Sequence, residues 1–187
     1  MRRTPSRLRR AATLAATAVA SLSVIVGIAG PAAAHVSVHP SSAPRGSFSI
    51  LSFAVPNERD DAATVSVEVV LPTDRPIPFV SIQPVPGWTA TVERTTLAKP
   101  IKTEDGTISE VVSRIVWAGG RIEPGEFQQF TVSAGPLPGA GKRVVFKALQ
   151  TYSSGEVVRW IEIPKQGAPE PELPAPVLTL TAATHGH

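Results

Sequence analysis

Hydrophobic and polar residues alternate over short stretches through most of this chain, and no stretch keeps a helical period. The segment HVSVH (35–39) puts Val36 and Val38 on one face and its polar residues on the other. The segment TVSVEVVLP (64–72) alternates in the same way, and Glu68 lies opposite its valine neighbours. Such alternation is typical of a strand with one face in the core and one in water.

Nine runs of this kind follow one another, and turns such as Pro86-Gly87 and Pro124-Gly125 separate them. Strands at a spacing of about 8–15 residues are typical of two-sheet all-β domains. We therefore predict an all-β fold, a single β-sandwich or Greek-key barrel of about nine strands. The predicted strands are HVSVH (35–39), FSILSFAV (48–55), TVSVEVVLP (64–72), PFVSIQP (78–84), WTATVERT (88–95), EVVSRIVWA (110–118), FQQFTVSA (127–134), RVVFKALQTY (143–152) and EVVRWIEIP (156–164).

Residues 1–34 have the three parts of a secretory signal peptide. Five arginines lie in the first ten positions, an apolar run follows, and Ala32 and Ala34 supply a small-residue cleavage site. We expect cleavage between Ala34 and His35, which places the mature protein outside the cytoplasm, secreted or in the cell envelope. The alternative is a retained anchor, since about 19 apolar residues can just span a bilayer.

The composition changes after Pro164. The segment KQGAPEPELPAP is rich in proline and extended, and VLTLTAATHGH follows it. We expect one domain over residues 35–164 and a Pro-rich disordered tail over residues 165–187.

The formal charge of +3 belongs to the leader. Without its five arginines, 13 of the 18 basic residues remain against 15 acidic residues, a net charge of −2. This balance argues against a nucleic-acid partner, because phosphate backbones bind surfaces with a surplus of positive charge. The chain also has no cysteine, which excludes disulfides, a thiolate copper(I) site and a blue-copper centre.

His35 is the first candidate metal ligand. Cleavage before it would leave an α-amine and an imidazole on one residue, and these two nitrogens can close a six-membered chelate ring. Copper(II) favours tetragonal nitrogen and oxygen ligands and heads the affinity series for such donors. The alternative is an exposed histidine that stands at the cleavage site by chance.

Two other copper arrangements fit less well. A terminal motif with histidine as the third residue fails, because that residue is Ser37. A site with two fixed imidazoles would need His39, which an extended strand places about 13 Å from His35. His185 and His187 in the tail would at most assist capture.

A site with one histidine needs an oxygen ligand from the domain. Glu68 is the first choice, because a strand holds a ligand more rigidly than a loop; Glu58, in VPNERDD, is the second. Each has a simpler interpretation as a solvated charge, on a strand face for Glu68 and in a turn for Glu58. Trp160 could cover the metal site and exclude water. Core packing is the simpler interpretation of all three tryptophans, Trp88, Trp117 and Trp160.

Several segments in order along the chain resemble the YcnI-like family of bacterial exported copper-binding domains, over about residues 34–164. They are AHVSVHPSSAPRGS, VPNERDDAATVSVEVVLP, IQPVPGWTATVER, IVWAGG and FKALQTYSSGEVVRWIE. The resemblance implies a cupredoxin- or immunoglobulin-like β-sandwich. It also implies a copper(II) site built from His35, a glutamate and Trp160, where the glutamate best matches Glu68 and Glu58 remains open.

The family further implies a role in copper trafficking or homeostasis, with exported copper carriers or membrane copper transporters as partners. Many relatives continue past a Pro-rich linker into a membrane helix, whereas this sequence stops at His187. We therefore expect a copper(II)-binding protein that is not an enzyme. The alternatives are an exported adhesion or interaction module without metal and a copper oxidase or oxygenase. A hydrolase is disfavoured, because no nucleophile has an evident histidine and acid partner.

Overall fold

The computed structural model describes residues 35–103, 106–165, 167–169 and 171–183. These residues form twelve β-strands and no helix, so none of them belongs to a helix that could cross a membrane. The strands are β1 (Ser37–His39), β2 (Ser42–Pro44), β3 (Ser49–Pro56), β4 (Thr64–Val70), β5 (Phe79–Ile82), β6 (Thr89–Thr103), β7 (Gly106–Ile122), β8 (Phe127–Gly135), β9 (Arg143–Val145), β10 (Lys147–Tyr152), β11 (Val157–Trp160) and β12 (Val177–Thr181).

The strands form three sheets. One sheet has the order β1-β3-β8-β5, the second has the order β11-β10-β4-β7-β6, and the third is β2-β12-β9. Apolar side chains from all three sheets share one core. Phe53 of β3 meets Phe146, which lies between β9 and β10, in an edge-to-face contact with the ring centroids 5.2 Å apart. The predicted all-β sandwich is thereby confirmed.

The alternation of the sequence sets which side chains enter that core. In β4, Val67 and Val69 are buried, and Glu68 between them is only half-buried on the other face. In β10, Ala148, Gln150 and Tyr152 are buried, and the residues between them are more exposed. One face of the five-stranded sheet therefore lines the core, and we call it the inner face; the other is the outer face.

Three segments differ from the prediction, and the first is β2, which was not among the predicted strands. The run 143–152 was expected to be one strand, but it divides at Phe146 into β9 and β10, which belong to different sheets. Disorder was expected throughout residues 165–187, and this is wrong for β12, whose Leu178 and Leu180 are buried. β12 pairs in parallel with β2 and antiparallel with β9, because its alternating leucines supply one more apolar strand face to the core.

Candidate metal centre

His35 lies two residues before the start of β1, at the edge where two sheets approach each other. The antiparallel register of β1 and β3 pairs Ser37 with Ala54, and its continuation puts His35 opposite Pro56, the last residue of β3. The imidazole is half-buried, and its centroid lies 5.7 Å from the ring centroid of Trp160 at an interplanar angle of 56°. The structure therefore brings together two of the four predicted site residues.

Trp160 ends β11 with only 6% of its surface exposed. It pairs with Ala148 of β10, so its ring lies on the inner face. Its indole Nε1 donates a hydrogen bond of 3.1 Å to Oε1 of Gln150, which is itself buried. The ring beside His35 is therefore held by packing and by a directional polar contact.

The loop of residues 57–63 continues from Pro56 past this edge, and Asn57 organises it. The side chain of Asn57 is buried, and its Nδ2 donates hydrogen bonds to the carbonyl oxygens of Ala62, at 2.8 Å, and Ile122, at 2.9 Å. Its Oδ1 accepts a hydrogen bond from the backbone N–H of Arg59. A short polar side chain that bonds to its own loop is a common turn-forming device.

Arg59 fastens the same loop to the turn before β11. Its guanidinium donates to both carboxylate oxygens of Glu156, at 2.9 Å and 2.6 Å, and lies 5.2 Å from the ring centroid of Tyr152. The hydrogen bond to Arg59 lowers the pKa of Glu156, and the same hydrogen bond raises the pKa of Arg59. The loop is thus held from both sides of Glu58.

Glu58 is exposed and lies two residues beyond Pro56, the residue across from His35 in the extended β1–β3 register. Its chain neighbours Asn57 and Arg59 are both fixed by the contacts above. The second predicted glutamate therefore belongs to the loop that passes the His35–Trp160 edge.

Glu68, the first predicted glutamate, is not brought to this edge. It alternates with Val69, which shares a cross-strand row with Ala148 and Trp160, so its side chain lies on the outer face of the sheet. There Arg114 contacts it at 3.3 Å and also bonds to Glu93 at 2.6 Å. Sequence alternation gave the strand face of Glu68 correctly, but not the strand neighbour that pairs with it.

The other singled-out residues lie elsewhere. His39 is exposed, and its Nε2 is 3.0 Å from the hydroxyl of Ser37. Trp117 is fully buried and Trp88 is partly buried, and both contact Phe130 in the core. His185, His187 and the predicted leader lie outside the described residues.

The donor chemistry at this edge is sparse. Among the described residues, no group of three or more His, Cys, Asp or Glu side chains could hold a metal ion. A copper(II) site of the predicted kind needs only one imidazole and one carboxylate, because the terminal amine is its second nitrogen. His35 supplies an imidazole at this edge, and Glu58, in the loop that follows Pro56, carries a carboxylate. Both are donor types that such a site uses.

Sequence reasoning missed Gln150, Asn57 and Arg59. A signal for Gln150 was present, since it occupies an inward position of KALQTY between Ala148 and Tyr152. A polar residue at such a position must find hydrogen-bond partners inside the protein. Nothing in the sequence identifies those partners.

Comparison with known proteins places this geometry in context. The family described as a domain of unknown function, DUF1775, matches residues 35–180. The copper-binding protein CutI of Bacillus subtilis (strain 168) is 30% identical over 155 residues, or 82% of this chain. The chain spans 65% of the length of CutI. A crystal structure from Nocardia farcinica, of an uncharacterised protein with an immunoglobulin-like fold, is 38% identical, with a TM-score of 0.62 over 80% of this chain and 99% of that one.

Proposed function

This chain belongs to the DUF1775 family, as its YcnI-like motifs indicated, and on that premise we propose that it is an exported copper(II)-binding protein. Its role is to carry or buffer copper outside the cytoplasm rather than to catalyse a reaction. The observation that carries the proposal is the contact between His35 and the buried, hydrogen-bonded ring of Trp160. The name of the relative CutI supports copper as the ion.

The amine and the imidazole of a processed His35 supply two nitrogen ligands from one residue. The reference pKa of an α-amine is about 7.7–8.0, so removal of its proton costs little at neutral pH. Trp160 covers one side of the imidazole and keeps water from it, which restricts the orientation of the ring. The proposed site therefore depends on cleavage before His35.

Glu58 is the carboxylate that we propose as the oxygen ligand. Three observations support it over Glu68: its loop follows the residue opposite His35, its two neighbours are fixed, and its side chain is exposed. Glu68 would have to leave Arg114 and the outer face of its sheet.

Copper trafficking or homeostasis is the role that we propose for this binding. The partners would be exported copper carriers or membrane copper transporters, which could exchange the ion at an open edge of the sandwich. The described edge supplies one imidazole rather than the two fixed ones of an oxidative copper centre, and this favours binding over catalysis.

The test uses the mature protein beginning at His35, titrated with copper(II) against a competing chelator and followed by electron spin resonance. The parent and the matched control His39→Ala should each bind one copper(II) with the same spectrum. His35→Ala, and a form with one extra residue before His35, should lose this site. Unchanged binding by both altered forms would overturn the proposal, and binding by the parent no tighter than that of free histidine would favour an interaction module without metal.

A further inference from the structure

Gln150 is a buried polar side chain that forms hydrogen bonds both at the base of the loop of Glu58 and with Trp160. It is 1% exposed and lies on the inner face of β10, between Val158 of β11 and Val67 of β4. A side-chain amide has two N–H donors and one carbonyl acceptor. In this structure all three functions are used, and each contact reaches a different segment of the chain.

The amide nitrogen of Gln150 holds both ends of the loop that carries Glu58. It donates one hydrogen bond of 2.8 Å to the carbonyl oxygen of Pro56, the last residue of β3. It donates the other, of 2.7 Å, to the hydroxyl oxygen of Thr64, the first residue of β4. Because Pro56 and Thr64 flank residues 57–63, one NH₂ group fixes the separation at the base of this loop.

The amide oxygen of Gln150 holds the tryptophan. It accepts the indole hydrogen bond of Trp160 diagonally across the β10–β11 pair, and this contact fixes the rotation of the ring that faces His35. Trp117 provides a contrast, because its indole Nε1 is buried on the same sheet and has no hydrogen-bond partner among the residues that the structure describes. A hydrogen-bonded indole is therefore not a general requirement of this core.

We propose that Gln150 is a positioning residue that sets the distance and orientation between His35, Trp160 and the loop of Glu58. The inference rests on the proposed copper site. Residues that orient metal ligands through hydrogen bonds typically change metal affinity by about 10–100-fold when they are replaced. A side chain that served only packing would change stability and leave the affinity as it was.

The test compares Gln150→Leu with Ile115→Ala in the mature protein. Ile115 is a fully buried, apolar residue of β7, and Val69 of β4 and Ala148 of β10 separate it from Trp160 in their cross-strand row, so it controls for loss of stability alone. Below the unfolding transition of both variants, Gln150→Leu should raise the dissociation constant for copper(II) by about tenfold and alter the spin-resonance spectrum. Ile115→Ala should match the parent in both.

A second measurement needs no metal. In the metal-free protein, the indole N–H proton of Trp160 should exchange with solvent more rapidly in Gln150→Leu than in the parent, and the N–H of Trp117 should be unaffected. If Gln150→Leu does not fold, Trp160→Phe removes the same indole bond, and Gln150→Glu removes the two donors to Pro56 and Thr64. Each of these variants should weaken copper binding in the folded protein.

The outcomes separate the two proposals. A parent protein that does not bind copper(II) defeats the proposed function, whatever the exchange data show. A parent that binds copper, with Gln150 variants of parental affinity and spectrum, overturns the positioning role and leaves the copper site intact.

Discussion

Polar side chains have opposite environments on the two faces of the five-stranded sheet. On the inner face, at the β10–β11 edge, Gln150 and Trp160 are buried and hydrogen-bonded to each other. On the outer face, across β4, β7 and β6, Arg114 pairs with Glu68 and Glu93, and all three stay in contact with water. Buried polar groups require their partners, whereas exposed ion pairs contribute little and tolerate loss. The buried, hydrogen-bonded pair of Gln150 and Trp160 is therefore better suited to hold the parts of a binding site in fixed positions.

The largest expected effect is on the free energy of unfolding, which should depend on whether a substitution lies on the inner or the outer face. Trp117 is fully buried on the inner face of β7, and its neighbour Val116 alternates to the outer face. Trp117→Ala should lower the free energy of unfolding by about 3–5 kcal/mol, because it leaves a cavity in the core. Val116→Ala is the control and should lower it by much less in the same denaturant titration. Equal losses would mean that both faces are packed.

The second prediction compares the two carboxylates. Glu58→Gln should weaken copper(II) binding by about tenfold or more, because it removes the negatively charged oxygen ligand of the proposed site. Glu68→Gln should leave the affinity unchanged, because its side chain lies with Arg114 on the outer face. Competition titrations of the mature protein measure both. The reverse order would restore Glu68 as the ligand and require the β4 strand to present it differently.

The smallest expected effect concerns the two arginines. Arg59→Gln should loosen the loop of Glu58 and weaken copper binding by less than about fivefold, since partly exposed pairs contribute modestly. Arg114→Gln is the matched control and should leave copper binding unchanged. An equal loss in both variants would show that the Arg59–Glu156 pair has no special connection to the site.

The Arg59 pair also has a defined pH dependence. Its hydrogen bond lowers the pKa of Glu156 below the ordinary value of 4.5, so its stabilising contribution is present above that value. This contribution disappears as the pH falls through the lowered folded-state pKa. In thermal unfolding of the metal-free protein, the difference between the parent and Arg59→Gln should therefore be constant near neutrality and shrink in acid.

Much of the fold could be read from the sequence because strand alternation is a local property. The pattern around Val67 and Val69 gave the inner and outer faces of β4 correctly. β12 was missed although VLTLT alternates, since the preceding prolines suggested a disordered tail. The division of residues 143–152 at Phe146 depends on the exchange between two sheets, which is a property of the tertiary structure.

The site was only partly predictable for the same reason. His35 was singled out through the chemistry of a processed terminus, and the structure places its ring beside that of Trp160. The proposed preference for Glu58 over Glu68 rests on the register of β1 with β3 and on the position of Arg114, 46 residues from Glu68. Pro56 and Thr64, which accept hydrogen bonds from Gln150, lie 94 and 86 residues away from it, so no local pattern can reveal these two partners.

The parallel pairing of β2 with β12 has a mechanical consequence. Ser42, Ala43 and Pro44 lie beside Thr179, Leu180 and Thr181, so the first and last parts of the domain run side by side in the same direction. A pull that separates the two ends acts along these strands, and it loads their hydrogen bonds together instead of opening them one after another. We therefore expect the pairing of β12, the strand that follows the Pro-rich linker, with β2 to resist a force that pulls the two ends apart.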